Sequence, residues 1–169
     1  MNANQFIVSV LVANHFGVLT RIAGLFSKRG FNIDSLTVGV TEDPDFSRMT
    51  IVSTGDEYVK DQIVKQLEKL VDVRVVQLMD PDNTVPRELL IIKLDVAPGN
   101  RHEVMEAVQI FRAKVIDLAQ QTVTVEITGN RQKLEAFVEY LRPYNIVEIC
   151  RTGVTAIGRA GYCLKEQTP

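Results

Sequence analysis

The chain has no tryptophan and only two cysteines among its 169 residues, Cys150 and Cys163. Its first ten residues, MNANQFIVSV, lack the basic-then-apolar pattern of a secretion signal, so both cysteines are expected to stay reduced. No apolar run has the roughly 20 residues that a membrane helix needs. The formal net charge is only −2, which argues against electrostatic binding to nucleic acid or to an anionic membrane. These absences predict a cytoplasmic protein with no nucleic-acid or membrane partner.

Catalytic and metal-binding patterns are also missing. The two histidines, His15 and His102, each stand at the start of a predicted helix. Neither has a suitably spaced cysteine, histidine or carboxylate partner for a metal. The sequence contains neither a glycine-rich phosphate loop nor the strand–turn–helix serine motif of hydrolases. We therefore expect no catalytic residues, no bound metal and no cofactor on this chain.

The order of predicted elements is β-α-β-β-α-β, and it occurs twice. Alternating or β-branched segments predict the strands, and apolar residues at i, i+3, i+4 and i+7 predict the helices. Residues 80–86 contain two prolines and two aspartates and interrupt this periodicity, as a linker does. The sequence therefore predicts an α+β chain of two tandem ferredoxin-like domains, 1–79 and 87–169, joined by the linker 80–86. The glycine-rich tail after Arg151 has no assignable element.

One stretch, from Asn14 to Leu36, is the most informative part of the chain. The spacing predicts a helix that ends at Gly30, with one stripe facing the core: Leu19, Ile22, Ala23 and Phe26. The loop before it reads Asn14-His15-Phe16-Gly17. A helix N-terminus presents unpaired N–H groups and suits a carboxylate or phosphate, although such a loop is also an ordinary way to begin a helix.

Six runs of sequence carry a family resemblance. They are NHFGVLTRIAGLFSKRGFNIDSLTVG, DPDFSRMTIV and LEKLVDVRVV in the first half, and RELLIIKL, EAVQIFRAKVIDL and EICRTGV in the second. With these runs the chain resembles the regulatory (small) subunit of acetohydroxyacid synthase (acetolactate synthase). The first half resembles an ACT domain, a small module that commonly binds amino acids.

The resemblance implies a regulatory chain without chemistry of its own. Subunits of this family bind a separate catalytic (large) subunit, raise its activity and confer feedback inhibition by branched-chain amino acids, most often valine. Thiamine diphosphate, magnesium and FAD are then expected only on the catalytic subunit. The family also implies a homodimer formed through the ACT domains.

The same resemblance implies an effector site. It assigns binding to the loop and helix start, here Asn14, His15, Gly17, Val18 and Leu19. It assigns a further contact across the dimer interface, here Asn32 and Ile33. A carboxylate on the N–H groups after Gly17 agrees with the helix dipole. Asparagine oxygens suit an ammonium group, and the apolar side chains suit a small apolar substituent.

Two other functions fit parts of the sequence. A stand-alone double-ACT regulator, of another enzyme or of transcription, has the same pocket but no thiamine-dependent partner. A small acyl-phosphate hydrolase on a ferredoxin-like scaffold would use Arg21 or Arg48 with Asn14. Such a hydrolase needs an arginine-lined phosphate loop, and the loop at residues 15–18 has no arginine.

Overall fold

The computed structural model describes residues 4–164, and these form two compact units. The first unit consists of residues 4–86 together with 153–164, and the second unit consists of residues 87–152. Among the described residues, no helix is both long and apolar enough to cross a membrane.

The first unit contains the predicted β-α-β-β-α-β order. Its elements are β1 (Gln5–Ala13), α1 (Val18–Arg29), β2 (Ser35–Val40), β3 (Phe46–Thr54), α2 (Glu57–Leu67) and β4 (Val73–Leu78). The strands form an antiparallel sheet in the order β2-β3-β1-β4, so β2 and β4 are its edges. This is the ferredoxin-like arrangement, and the prediction of the fold is confirmed.

Side chains of β1 alternate between the two faces of this sheet. Val8, Val10 and Val12 pack against both helices, in a core that includes Phe26 and Ile63. The intervening Ile7 packs on the opposite face, which we call the open face because neither helix covers it. Burying each valine contributes about 1.5–3 kcal/mol, so this stripe fixes which face of β1 meets the helices.

Helix α1 is bounded by two glycines in the left-handed conformation. Gly17 precedes the helix with φ +89°, and Gly30 follows it with φ +71°. The N–H of Gly30 donates to the carbonyl oxygens of Phe26 and Ser27, which closes the helix as predicted.

The predicted core stripe of α1 was partly wrong. The buried residues are Val18, Ile22 and Phe26, whereas Leu19 and Ala23 are exposed. Positions 18, 22 and 26 are spaced by four and lie on one line of the helix, and Leu25 packs beside them. This line buries more apolar surface than one containing Ala23, so the helix is turned by about one residue from the predicted orientation.

The second unit repeats the element order. It contains most of β5 (Thr84–Asp95), a 3-10 turn (Pro98–Asn100), α3 (Arg101–Ile110), β6 (Lys114–Leu118), β7 (Thr122–Gly129), α4 (Arg131–Leu141) and β8 (Asn145–Arg151). The strand order is β6-β7-β5-β8, and all of these pairs are antiparallel. The core lies between this sheet and the two helices, with Phe137 of α4 at its centre beside Phe111.

Two predicted domain boundaries differ from the structure. The linker 80–86 is shorter than predicted, because β5 begins at Thr84, whose hydroxyl donates to the carbonyl oxygen of Asp80 at 2.5 Å. Residues 153–164 were predicted to belong to the second domain, 87–169, but they are part of the first unit. Residues 155–158 form a ninth strand, β9 (Thr155–Gly158), which pairs with β5.

Apolar burial and two hydrogen bonds hold the tail in the first unit. Ala156 is buried on the open face in a cluster with Ile7, Val52 and Met79. Just before it, the N–H of Val154 donates to Ser35 Oγ at 3.3 Å, and its carbonyl oxygen accepts from Thr37 Oγ1 at 2.6 Å. The tail therefore covers part of the face that the helices leave open.

Candidate functional site

Asn14 fixes the loop between β1 and α1 to the neighbouring hairpin. Its backbone N–H donates to the carbonyl oxygen of Asp45 at 2.7 Å. Its side-chain Nδ2 donates to the carbonyl oxygen of Pro44 at 2.9 Å, and Oδ1 accepts from the hydroxyl of Ser47 at 3.0 Å. The predicted ammonium acceptor is therefore already engaged by Ser47, and one lone pair of Oδ1 remains for a ligand.

Asp72, immediately before β4, holds the same loop from the other side. Its carbonyl oxygen accepts from the N–H of Ala13 at 2.8 Å. Its carboxylate faces His15 Nε2 at 3.1 Å through Oδ1, and pairs with Arg21 Nη1 through Oδ2. Asp72 is only 8% exposed, so this carboxylate is almost enclosed by its partners.

The imidazole of His15 lies between two oxygen acceptors. Nδ1 is 3.0 Å from the carbonyl oxygen of Phe16, and Nε2 faces Asp72. A neutral imidazole has one N–H, so it makes one of these bonds at a time, whereas imidazolium makes both. Only imidazolium therefore hydrogen-bonds the tip of the loop and Asp72 at the same time.

Gly17 leaves the start of α1 open for a ligand. No side chain caps the helix and no acidic residue stands in its first turn. The first helical N–H in the backbone ladder is that of Arg21, which donates to the carbonyl oxygen of Gly17 at 3.0 Å. The N–H groups of residues 18–20 precede it and have no intrahelical acceptor. An ideal Cβ on Gly17 would meet nothing within 4 Å, so the approach to these groups is clear.

The apolar residues near this helix start point in different directions. Val18 is 3% exposed and belongs to the core of the first unit, so it does not line a socket for a ligand as predicted. Leu19 is 46% exposed and Phe16 is fully exposed. A ligand on the first turn of α1 would therefore contact Leu19 and Phe16, and only the backbone of Val18.

Asn32 and Ile33 lie beyond the other end of α1. Asn32 Nδ2 donates to Asp34 Oδ1 at 2.5 Å, and its carbonyl oxygen accepts from Ser53 Oγ at 2.6 Å. Ile33 is half-buried against the core. The 12 residues of α1 span about 18 Å, so these two residues and the loop at Asn14–Gly17 do not line one pocket within a single chain.

Sequence reasoning missed Asp72 as part of this region. The residue is the only acid in the mostly apolar run LVDVRVV, and its partners His15 and Arg21 are 57 and 51 positions away. A buried acid in such a run needs a partner, and this was the only available signal. Arg21, considered above for a phosphate site with Asn14, is instead paired with Asp72.

Other chemistry is not assembled in the described part of the chain. Residues 4–164 contain no group of three or more histidine, cysteine or acidic side chains arranged to hold a metal. Cys150 and Cys163 are both unpaired and exposed. The described geometry thus offers an anion-accepting helix start and a rigidly held loop.

Two family models match the two halves of the chain. One, described as an AHAS small subunit-like ACT domain, matches residues 8–75. The other, described as the small subunit of acetolactate synthase, matches residues 87–160. The acetolactate synthase small subunit of Mycobacterium bovis is 48% identical over 159 residues, which cover 94% of this chain and 95% of that protein. The chain belongs to the acetolactate synthase small subunit family.

Further members give the same result. The acetolactate synthase small subunit of Mycolicibacterium smegmatis is 47% identical over 152 residues, covering 90% of this chain and 89% of that protein. The crystal structure of the small subunit from Thermotoga maritima superposes with a TM-score of 0.88 at 42% identity, covering 94% of this chain and 99% of that one. The helix start described above therefore lies in the ACT domain of an acetolactate synthase small subunit.

Proposed function

We propose that this chain is the regulatory subunit of an acetolactate synthase in branched-chain amino acid biosynthesis. It binds the catalytic subunit, raises its activity and makes it sensitive to feedback inhibition by valine or another branched-chain amino acid. The proposal of a catalytic subunit as partner is supported by the similarity to an acetolactate synthase small subunit, which is 48% identical over 94% of this chain. The uncapped start of α1 carries the assignment of the effector site, because it offers free N–H groups to a carboxylate.

The proposed site is shared by two chains. β1 and β2 both run antiparallel to β3, so the end of β2 lies at the same end of the sheet as the loop after β1. If two copies pair antiparallel along their β2 edges, the start of one β2 lies beside the end of the other. That pairing brings Asn32 and Ile33 of one chain toward the helix start of its partner, and it also covers an exposed sheet edge.

Valine fits the groups that meet in such a dimer. Its α-carboxylate accepts hydrogen bonds from the N–H groups of the first turn of α1, where the helix dipole favours negative charge. Its α-ammonium donates to the side-chain oxygen of Asn32, whose Nδ2 already donates to Asp34. Its isopropyl group packs between Leu19 and Ile33. One methylene changes binding by only about 1–3 kcal/mol, so leucine and isoleucine are expected to bind the same site with a different affinity, not to be rejected.

Inhibition follows from differential binding to two dimer geometries. An effector that joins two chains stabilises the geometry in which both halves of the site meet. A coupling free energy of about 1–3 kcal/mol between this site and the catalytic subunit accounts for partial to strong inhibition. Thiamine diphosphate, magnesium and FAD remain on the catalytic subunit in this proposal. We also propose that the complex is cytoplasmic, because unpaired cysteines are usual in that compartment.

Gly17 gives the sharpest test of the carboxylate position. Isothermal titration of the purified chain, alone and with its catalytic subunit, is carried out with valine, leucine, isoleucine and serine. Gly17→Asp places a negative charge beside the helix start, so valine binding and valine inhibition of acetolactate synthesis are expected to fall at least tenfold. Gly17→Asn is the matched control, because asparagine tolerates the same left-handed backbone and adds no charge.

Three outcomes count against the proposal. Unchanged valine sensitivity in Gly17→Asp would overturn the effector site. Equal losses in Gly17→Asp and Gly17→Asn would show that backbone strain, and not the charge at the carboxylate position, causes the effect. Failure of the wild-type chain to co-purify with a thiamine-dependent synthase would favour the stand-alone regulator.

A further inference from the structure

A cationic side chain, Arg48, lies on the open face of the first sheet, away from the loop at Asn14–Gly17, which we call the effector loop. Arg48 is on β3, opposite Leu11 of β1 and Gly39 of β2. Arg48, Thr50 and Val52 are alternate residues of β3, so their side chains lie on the same face of the sheet. This is the open face, which α1 and α2 do not cover. Val52 packs there against the tail, which confirms the direction of this face.

Part of the Arg48 guanidinium is enclosed without a partner. Nε and Nη2 are both shielded from solvent, and neither has a hydrogen-bond acceptor within the described residues. Burial lowers the pKa of Arg48, and the nearby carboxylate of Glu42 opposes this by raising it. Arginine nevertheless keeps its charge in proteins, so these enclosed N–H groups require an acceptor.

Nε and Nη2 form one edge of the planar guanidinium. Their two N–H bonds are parallel and match the two oxygens of a carboxylate or phosphate. Enclosing such an edge without an acceptor is costly, and native structures rarely leave it so. The missing partner is therefore expected to have two oxygens side by side.

A groove of about 860 Å³ adjoins Arg48 and has room for that partner. Its walls include Leu11 and Phe46 from the sheet, Ile157 and Tyr162 from the tail, and the second cation Arg74. The guanidinium carbon of Arg74 lies 5.6 Å from the centre of the Phe46 ring. Glu42 and Asp43 also line the groove, so it carries both signs of charge.

We propose that this groove binds a small oxyanion, a carboxylate or a phosphate, on the Nε–Nη2 edge of Arg48, with Arg74 as the second cation. The apolar walls exclude water from the contact and strengthen it. Glu42 and Asp43 repel the anion and limit its affinity. The site lies on the opposite face of the sheet from α1, so it does not depend on the effector site proposed above.

Thermal unfolding of the full chain in sodium phosphate and in sodium acetate tests the proposal, with sodium chloride of equal ionic strength as reference. Phosphate or acetate, at concentrations well above Kd, is expected to raise the Tm of the wild-type chain by about 2–4 °C. Arg48→Met is expected to abolish that rise. Comparing the two salts shows whether carboxylate or phosphate is preferred. Lys65→Met, which removes one positive charge from the exposed surface of α2, is the matched control and keeps the rise.

A structural role for Arg48 predicts different results. If Arg48 instead pairs with Glu42 in solution, Arg48→Met and Glu42→Gln both lower the Tm in chloride, and neither salt has a specific effect. If it binds an oxyanion, Arg48→Met does not lower the Tm in chloride, because an unpaired buried charge has been removed. Glu42→Gln then increases the salt-dependent rise. Absence of a rise in the wild-type chain, or an equal rise in Arg48→Met, would overturn the proposal.

Discussion

Arg21 of α1 pairs with Asp72, a residue 51 positions later in the chain, through its guanidinium and the nearly buried carboxylate. The same carboxylate contacts His15, and the backbone of Asp72 binds that of Ala13. One acidic residue thus joins the end of β1, the loop after it and the first turns of α1. Asp72 therefore holds the loop at Asn14–Gly17 from the side of β4, as the bonds of Asn14 hold it from the side of the hairpin.

The first prediction concerns Asp72→Asn, which keeps the shape of the side chain and removes its charge. The pairing with Arg21 and His15 is weakened, so the free energy of unfolding should fall by about 1–2 kcal/mol. The loss is no larger because the Arg21 side chain is half exposed, and solvent screens its interaction with the carboxylate. Valine affinity should also fall severalfold, because the loop is less rigidly held. Urea denaturation and isothermal titration measure the two effects.

Asp61→Asn is the control for Asp72→Asn. Asp61 pairs with Lys65 on the surface of α2, and both side chains are at least half exposed. This variant should leave both stability and valine affinity nearly unchanged. Equal behaviour of the two variants would show that Asp72 is an ordinary surface acid and that the loop holds its conformation without it.

The second prediction concerns the alkaline titration of Tyr144 in the second unit. Its hydroxyl donates to Glu103 Oε2 at 2.7 Å, and this hydrogen bond to a carboxylate raises the pKa of Tyr144 to about 12. The folded state favours the protonated phenol, so this contribution to stability is complete below pH 10 and is lost as the pH rises through about 12.

Ultraviolet titration of the four tyrosines should show one that ionises later than the others. Glu103→Gln should return that residue toward the ordinary tyrosine pKa, because the neutral amide stabilises the phenol less than a carboxylate does. Glu106→Gln is a suitable control, since Glu106 is only the smallest contributor to the raised pKa. An unchanged late step in Glu103→Gln would show that the hydrogen bond is not its cause.

The third prediction concerns Gly158, at the end of β9. A Cβ at this position would overlap the carbonyl oxygen of Tyr162, and a backbone atom has little freedom to move away. Gly158→Ala should therefore open the turn at 158–162 and lower the free energy of unfolding of the first unit by about 1–3 kcal/mol. Gly161→Ala, where a Cβ would meet nothing within 4 Å, should cost much less. Limited proteolysis should cut the tail of the first variant faster and leave that of the second unchanged.

Much of the fold was predictable because each element has a strong local signal. Both halves have the β-α-β-β-α-β order that the periodicity predicts. Gly30 ends α1 as its position in the pattern indicated. The orientation of α1 was not predictable, because Val18 and Leu19 are both apolar and differ by 100° around the helix. Only packing decides between them.

Long-range contacts set the limit of the sequence reasoning. β9 has four residues and a glycine-rich surrounding, which gives no strand signal by itself; it forms because Ala156 is buried against Ile7 and Val52. Asp72 likewise has no local motif, and its role follows from partners brought together by the fold. The effector residues themselves came from the family resemblance, and their assembly across two chains stays a prediction.

The most direct test of the central claim is subunit complementation between Gly17→Asp and Asn32→Ala. If one chain supplies the helix start and its partner supplies Asn32, each homodimer has two damaged sites. A heterodimer, purified through two different tags, has one doubly damaged site and one intact site. The account predicts that both homodimers fail to bind valine, whereas the heterodimer binds about half as much valine per dimer as the wild type, with wild-type affinity. A heterodimer that binds no valine would contradict the account, because the two residues would then act within the same chain.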